Sequence, residues 1–339
     1  MTTRRYGAIK SGAQTNLALL GLLSIAFLTG WLAFAFGTGP SRLSLIVHAT
    51  GGVAIVLLMP WKSMIARRGM SRPRPGRWAS IGLGVLVLVS VAAGLGHSTG
   101  LVLNWGALSS MEVHVGAAIA AAPLAIWHVI ARRIKARPAD LSRRTFMKGS
   151  VALGAAAATY AVSEIAVRAA TLPGAARRFT GSYEAGSFRP AEMPVSSWMF
   201  DAIPVLSPER WTLRTPGRVW TLEELAAFDD RLNATLDCTG GFYSTQEWSG
   251  VRLDRLLPNA SRPSIRVISS TGYDRRFPAA EAASLLLATR FGDIPLDPGH
   301  GFPARLVAPD RRGFWWVKWV VAIELDEVPY WWQAPFPLQ

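Results

Sequence analysis

One cysteine, Cys238, is all that the 339 residues contain, so no disulfide within the chain can brace a fold. Acidic residues are almost missing from the first half. Residues 1–176 carry Glu112, Asp140 and Glu164 against 18 Lys or Arg, whereas residues 177–339 carry 19 acidic against 18 basic residues. The net charge of +14 therefore belongs to the first half, and the nearly neutral second half excludes a basic nucleic-acid-binding domain there. Gly-x-Gly-x-x-Gly, phosphate-loop and histidine-glutamate zinc motifs are also missing, which leaves nucleotide and such zinc chemistry without a sequence basis.

What the first half does have is apolar length. Stretches approaching the ~20 residues that a spanning helix needs run from Leu17 to Phe36, Leu43 to Trp61, Trp78 to Leu95, Met111 to Ala131 and Lys148 to Ala169. The fold class expected is a membrane bundle of five helices followed by an α+β domain. Residues 1–140 would form a four-helix transmembrane domain, 141–176 the fifth helix and a linker beginning at Pro173-Gly174, and 177–339 the soluble domain. Basic residues gather in alternating segments: Arg4, Arg5 and Lys10; Lys62, Arg67, Arg68, Arg72, Arg74 and Arg77; Arg132, Arg133, Lys135, Arg137, Arg143, Arg144 and Lys148. Between His97 and Glu112 there is none, and the first loop holds only Arg42. The positive-inside rule then places the N-terminus in the cytoplasm and, after five crossings, the C-terminal domain outside the cytoplasmic membrane.

The entrance to the fifth stretch reads Ser142-Arg143-Arg144-Thr145-Phe146-Met147-Lys148 before a small, weakly hydrophobic run. It resembles a twin-arginine export signal placed internally, which implies export of a folded domain. Four of the five histidines lie in the membrane half, where an ionisable side chain is a functional candidate by default. His114 and His128 stand 14 residues apart, which on one helix puts them within about 40° of one face and about 21 Å apart. His128, near the cytoplasmic end, has no histidine at matching depth on another helix, whereas His48, His97 and His114 lie toward the outer leaflet. The bundle resembles the cytochrome b-like bundles that accompany periplasmic oxidoreductases, through Phe27-Leu28-Thr29-Gly30, His48-Ala49-Thr50-Gly51 and the His114/His128 pair. That resemblance implies a b-type haem with His48 and His114 as the axial pair, His97 and His128 being secondary candidates.

Short β-type runs dominate the second half: Trp211 to Arg214, Ala234 to Cys238, Ser264 to Ser269, Ala304 to Ala308 and Trp315 to Ile323. Helical signals cover Leu222 to Phe228, after a Thr221/Glu224 capping box, and Ala279 to Leu287. Cys238 ends a strand before Thr239-Gly240-Gly241, where backbone can approach the sulfur closely. A metal ligand and a small buried thiol are both compatible with that setting.

Gly299-His300-Gly301-Phe302-Pro303-Ala304-Arg305-Leu306-Val307-Ala308-Pro309, with Val317-Lys318-Trp319, Trp248-Ser249-Gly250-Val251, Gly272-Tyr273 and the cysteine segment, resembles the sulfite-oxidase-type molybdopterin domain over roughly residues 190 to 326. The resemblance implies that the Cys238 thiolate ligates molybdenum beside one pterin. It also implies that His300, Arg305 and Lys318 hold the pterin and its phosphate, with Thr239 and Gly240 beside it and Tyr243 bordering the substrate cavity. Animal and plant sulfite oxidases carry Arg-Asn-His upstream of the cysteine, where this chain reads Met193-Pro194-Val195-Ser196-Ser197-Trp198, so sulfite is not the expected substrate. The function expected is two-electron oxygen-atom transfer or reduction of a small sulfoxide, N-oxide or oxyanion, with electrons exchanged through the membrane haem and a quinone or other membrane carrier. Two alternatives stand beside it: repair of oxidised methionine in exported proteins, and an electron-transfer or binding protein that keeps the fold without metal. The five C-terminal tryptophans Trp315, Trp316, Trp319, Trp331 and Trp332 read as packing or a belt at the membrane interface.

Overall fold

A computed structural model describes residues 2–37, 39, 41–70, 75–132, 140, 142–197, 202–257 and 262–334. Arg72, Arg74, Arg133, Lys135, Arg137 and Trp198, named above, lie outside the described residues. The chain divides into two compact units, one of residues 1–33 with 39–181 and one of 34–38 with 182–339.

The first unit is built on α1 (Thr2–Ala35), α2 (Ser41–Met70), α3 (Arg77–Thr99), α4 (Ser110–Ala131) and α5 (Arg143–Ala169), each long and apolar enough to cross a membrane. A two-stranded hairpin, β1 (Asn104–Trp105) and β2 (Leu108–Ser109), joins α3 to α4, where no period-two run marks a strand. Ser109 and Glu112 close a reciprocal capping box at the start of α4. At α5 the cap is Ser142, whose hydroxyl accepts from the Thr145 N–H at 3.3 Å. The helix therefore begins at Arg143, five residues before the apolar run, and takes both arginines into its first turn. The expected linker at Pro173-Gly174 is instead a 3₁₀ turn, Pro173–Ala176. Gly174 is buried, and a Cβ there would lie 2.3 Å from the Ser98 carbonyl oxygen, so this turn is seated on the end of α3.

In the second unit, β3 (Tyr183–Glu184) precedes β4 (Thr212–Thr215), β5 (Arg218–Thr221), the one-turn α6 (Leu222–Ala226), β6 (Asp230–Asp237) and β7 (Phe242–Arg252). There follow α7 (Leu253–Leu256), β8 (Ser264–Ser269), β9 (Asp274–Pro278), β10 (Leu286–Phe291), β11 (Ile294–Pro295), β12 (Arg305–Val307) and β13 (Val320–Asp326). Two mixed sheets result. One has β11, β10, β7 and β3 in order with β6 also on β7 and β12 on β10; the other runs β5, β4, β13, β8, β9. Leu213, Trp248, Val251, Ile265, Val267, Phe277, Leu286, Leu287 and Trp316 are among the side chains that fill the shared core.

The longest strand, β7, is among those that the sequence does not mark. Two of the buried positions on one face are Ser244 and Gln246, and Ser249 is buried on the other, so neither face reads as apolar throughout. Two expectations change. Ala279 to Leu287 is a 3₁₀ turn over Ala279–Ser284, after which the buried Leu286 and Leu287 open β10. Trp315 to Ile323 is a strand only from Val320, because Gly313–Trp315 forms another 3₁₀ turn and Trp319 takes a left-handed φ of 52°.

Gly250 on β7 faces Ala288 on β10, where a Cβ would meet the Leu287 carbonyl oxygen at 2.0 Å. Backbone cannot yield as a flexible side chain does. Gly250→Ala should therefore destabilise the second unit by about 2 kcal/mol, seen as a lower thermal midpoint of tryptophan fluorescence in the detergent-solubilised chain.

Candidate functional site

Cys238 occupies the connection between β6 and β7. Its N–H bonds the Phe242 carbonyl at 2.8 Å and its carbonyl accepts from the Gly241 N–H at 3.2 Å, closing a tight turn. Gly241 has φ 99°, which only glycine adopts without strain. Gly240 contributes differently: its N–H points at Cys238 Sγ from 3.3 Å. The thiol is buried, and the Ser196 hydroxyl lies 3.3 Å from it on the other chain segment.

A buried ion pair fixes this turn. Arg312 Nη1 donates to Asp237 Oδ1 at 2.8 Å, and Nη2 reaches the Cys238 carbonyl at 3.3 Å. The Ser182 hydroxyl donates to the same Asp237 oxygen at 2.6 Å. None of these three polar residues was foreseen as part of the site; Asp237 precedes the cysteine directly, yet a carboxylate ending a strand carries no signal that it will be buried.

His300 follows Gly299 in a 3₁₀ turn capped by Asp297. Its Nδ1 is 2.5 Å from Asp297 Oδ2 and its Nε2 donates to the Met193 carbonyl at 3.1 Å, so both ring nitrogens are engaged and the ring is almost fully buried. Burial alone would raise the Asp297 carboxyl, but the His300 ring and backbone N–H groups outweigh it and hold the group below its ordinary range. Arg305, 1% exposed, donates from Nη1 to the His300 carbonyl at 3.0 Å, while its guanidinium carbon sits 5.1 Å from the Trp248 ring centre and 5.7 Å from that of Trp316. Its Nε is buried with no hydrogen-bond partner among the described residues. Burial pulls the Arg305 pKa down to about 10, opposed by the nearby Cys238 and Asp297; it remains a cation at neutral pH.

Lys318 Nζ donates to the Ser196 carbonyl and to the Gly299 carbonyl, each at 2.6 Å. The segment 193–196 is thus tied to the cysteine, the histidine and the lysine together. Cys238, Gly240, His300, Arg305 and Lys318 fall in one neighbourhood, joined there by Ser196, Asp297, Asp237 and Arg312. Thr239 is half-buried within the turn. Tyr243 stands beside it on β7, its backbone paired with Asp237 on one side and Glu184 on the other.

In the helical unit His48 and His114 meet edge to face, ring centres 5.7 Å apart. His48 Nδ1 donates to the Ala26 carbonyl and His114 Nδ1 to the Ser90 carbonyl, both at 2.7 Å. A Cβ on Gly30 or Gly94 would come within 2.8 Å and 2.9 Å of these rings. His97 instead directs Nε2 to the Gly181 carbonyl at 2.7 Å, and His128 Nδ1 lies 3.1 Å from the Ser80 hydroxyl.

Residues 200–331 match the family described as the oxidoreductase molybdopterin binding domain, and residues 140–159 match a TAT (twin-arginine translocation) pathway signal sequence. The mixed-sheet unit is thus a molybdopterin-binding oxidoreductase domain, preceded by five apolar helices and an internal twin-arginine signal. No curated protein matches the chain. Among solved structures it is similar to the sulfane dehydrogenase SoxCD from Paracoccus pantotrophus, with 25% identity over 37% of this chain and 40% of that one and a TM-score of 0.35. The chain therefore spans about two fifths of that structure's length.

Asp297→Asn should cost about 1 kcal/mol at neutral pH, the low end for a charge-assisted bond because the carboxylate is half exposed. The folded pKa of Asp297 lies below its ordinary 3.8, so its contribution is present above that value and lost as pH falls through the folded one. The stability gap between wild type and variant should close below about pH 4, as followed by denaturant unfolding.

Proposed function

We propose that the chain is a membrane-anchored molybdenum oxidoreductase whose C-terminal domain works outside the cytoplasmic membrane. The observation that carries this reading is the setting of Cys238: a lone buried thiol at a strand-end turn, facing one backbone N–H and one hydroxyl, in a domain of the molybdopterin-binding class. A thiolate in that position suits a high-valent metal that receives its other ligands from a cofactor. Arg305 fits a cofactor too, since a buried guanidinium whose Nε has no partner among the described residues leaves a donor for an acceptor from outside the protein. Lys318, His300, Thr239 and Gly240 would complete the pterin contacts, and Tyr243 would border the substrate.

The molybdenum pterin, when bound, supplies two-electron oxygen-atom transfer; the protein holds it, shapes access and sets its potential. Small sulfoxides, N-oxides and sulfur oxyanions are the substrate classes that chemistry accommodates. Five helices of spanning length and the internal twin-arginine signal support anchoring in the lipid and export of the folded domain.

For electron exchange we assign a b-type haem to His48 and His114. Donation of each Nδ1 to a carbonyl fixes the tautomer that leaves Nε2 as the metal-binding nitrogen, and the two rings, from α2 and α4, meet edge to face with each against a glycine of another helix. A quinone or another membrane carrier would complete the circuit.

Purified protein from a pterin-competent host should contain molybdenum, and Cys238→Ser should lose turnover of sulfoxide or N-oxide with a reduced dye by at least a hundredfold, about 3 kcal/mol. Well-folded wild type without molybdenum would end the enzyme reading. Independently, dithionite-reduced wild type should show a b-type α-band that His48→Ala and His114→Ala each abolish; a wild-type spectrum without the band removes the haem and leaves the molybdenum site standing.

A further inference from the structure

The segment Met193 to Ser196 has no regular secondary structure after Glu192, yet it is held at each end by side chains of the cysteine neighbourhood. His300 Nε2 donates to the Met193 carbonyl at 3.1 Å. Lys318 Nζ takes the Ser196 carbonyl at 2.6 Å while also holding Gly299. Between them Val195 lies against Gly299 so closely that a Cβ added there would be 2.8 Å from its Cγ2. Pinning the backbone at both ends fixes where each side chain of the segment is rooted. The one polar group it aims at the thiol is the Ser196 hydroxyl, 3.3 Å from Sγ.

A thiol and a hydroxyl can each donate to the other, but a metal-bound thiolate has no proton and can only accept. In the metal-loaded protein the hydroxyl must therefore be the donor, beside the Gly240 N–H that reaches the same sulfur at 3.3 Å. Two donors on one thiolate withdraw electron density from it, which favours the more electron-rich, reduced form of the metal.

We propose that Ser196 is a positioning residue of the molybdenum site, whose hydroxyl donates to Cys238 Sγ and raises the reduction potential of the metal bound there. The proposal rests on the assignment of Cys238 as the molybdenum ligand. Ser196 reaches the metal only through the sulfur. Removing the hydroxyl leaves the Lys318 clamp intact, because that clamp uses the Ser196 backbone carbonyl.

The test compares full-length wild type, Ser196→Ala and Ser196→Thr, each purified in detergent and assayed for molybdenum by mass spectrometry. The potentials of the molybdenum couples are then followed by electron paramagnetic resonance. Equal molybdenum content, a lower potential and a shifted spectrum in Ser196→Ala, and recovery toward wild type in Ser196→Thr, are the expected results. An unchanged potential and spectrum in a fully loaded Ser196→Ala protein overturns the role of the hydroxyl while leaving the molybdenum assignment intact. Wild type without molybdenum overturns both.

Discussion

The buried contact between Arg312 and Asp237 is the constraint on which the cysteine turn depends. Both side chains lie below a tenth exposed, so each alone would carry a desolvated charge into the domain interior. Together they neutralise one another, and each makes a further hydrogen bond beside the turn: Arg312 donates to the Cys238 carbonyl, and Asp237 accepts from the Ser182 hydroxyl. The pair also ties the chain from three separated places, since residues 237 and 312 bridge in parallel and Ser182 leads into β3. A buried pair of this kind adds little net stability against an apolar substitute, but it selects one conformation by penalising any other that separates the charges. The turn that carries Cys238 gains from that selection.

Arg305 has a different electrostatic problem. It is as deeply buried as Arg312, yet its immediate surroundings are carbonyl oxygens and indole faces. Dipoles and ring quadrupoles compensate a desolvated cation only in part, and its depressed pKa records the remainder. A cation kept under-neutralised at this cost retains attraction for an anion that arrives later. This is the converse of Arg312, whose carboxylate is supplied by the protein itself.

The contrast between the two arginines also explains what could be read from the sequence. Arg305, His300 and Lys318 stand in motifs whose neighbours resemble a known domain, so their shared neighbourhood was legible. Asp237, Arg312 and Ser182 belong to no motif, and only long-range folding brings residues 55 and 75 positions apart together. Ser196 lay in a segment that stood out by departing from the sulfite oxidase pattern, but difference from a pattern assigns no role. The helices were legible for a simpler reason, that lipid demands about 20 consecutive apolar residues, whereas β7 was obscured by the polar side chains at its buried positions. Among the C-terminal tryptophans, Trp315, Trp316 and Trp319 pack inside the domain while Trp331 and Trp332 are exposed, a division that hydrophobicity alone does not mark.

A common principle connects the two candidate metal centres although their ligands are unlike. The cysteine sulfur meets a backbone N–H and a pinned serine; each of His48 and His114 gives its Nδ1 proton to a helix carbonyl. In both, a neighbour is placed to hydrogen-bond the candidate ligand: an N–H and a hydroxyl at the sulfur, and a carbonyl that takes the Nδ1 proton of each imidazole. The carbonyls available to the histidines are those of residues four positions before Gly30 and Gly94, where the missing side chains leave space for the rings to reach the neighbouring helix. Glycine and backbone carbonyl therefore act together on each helix. The small residue admits the ring, and the carbonyl orients it.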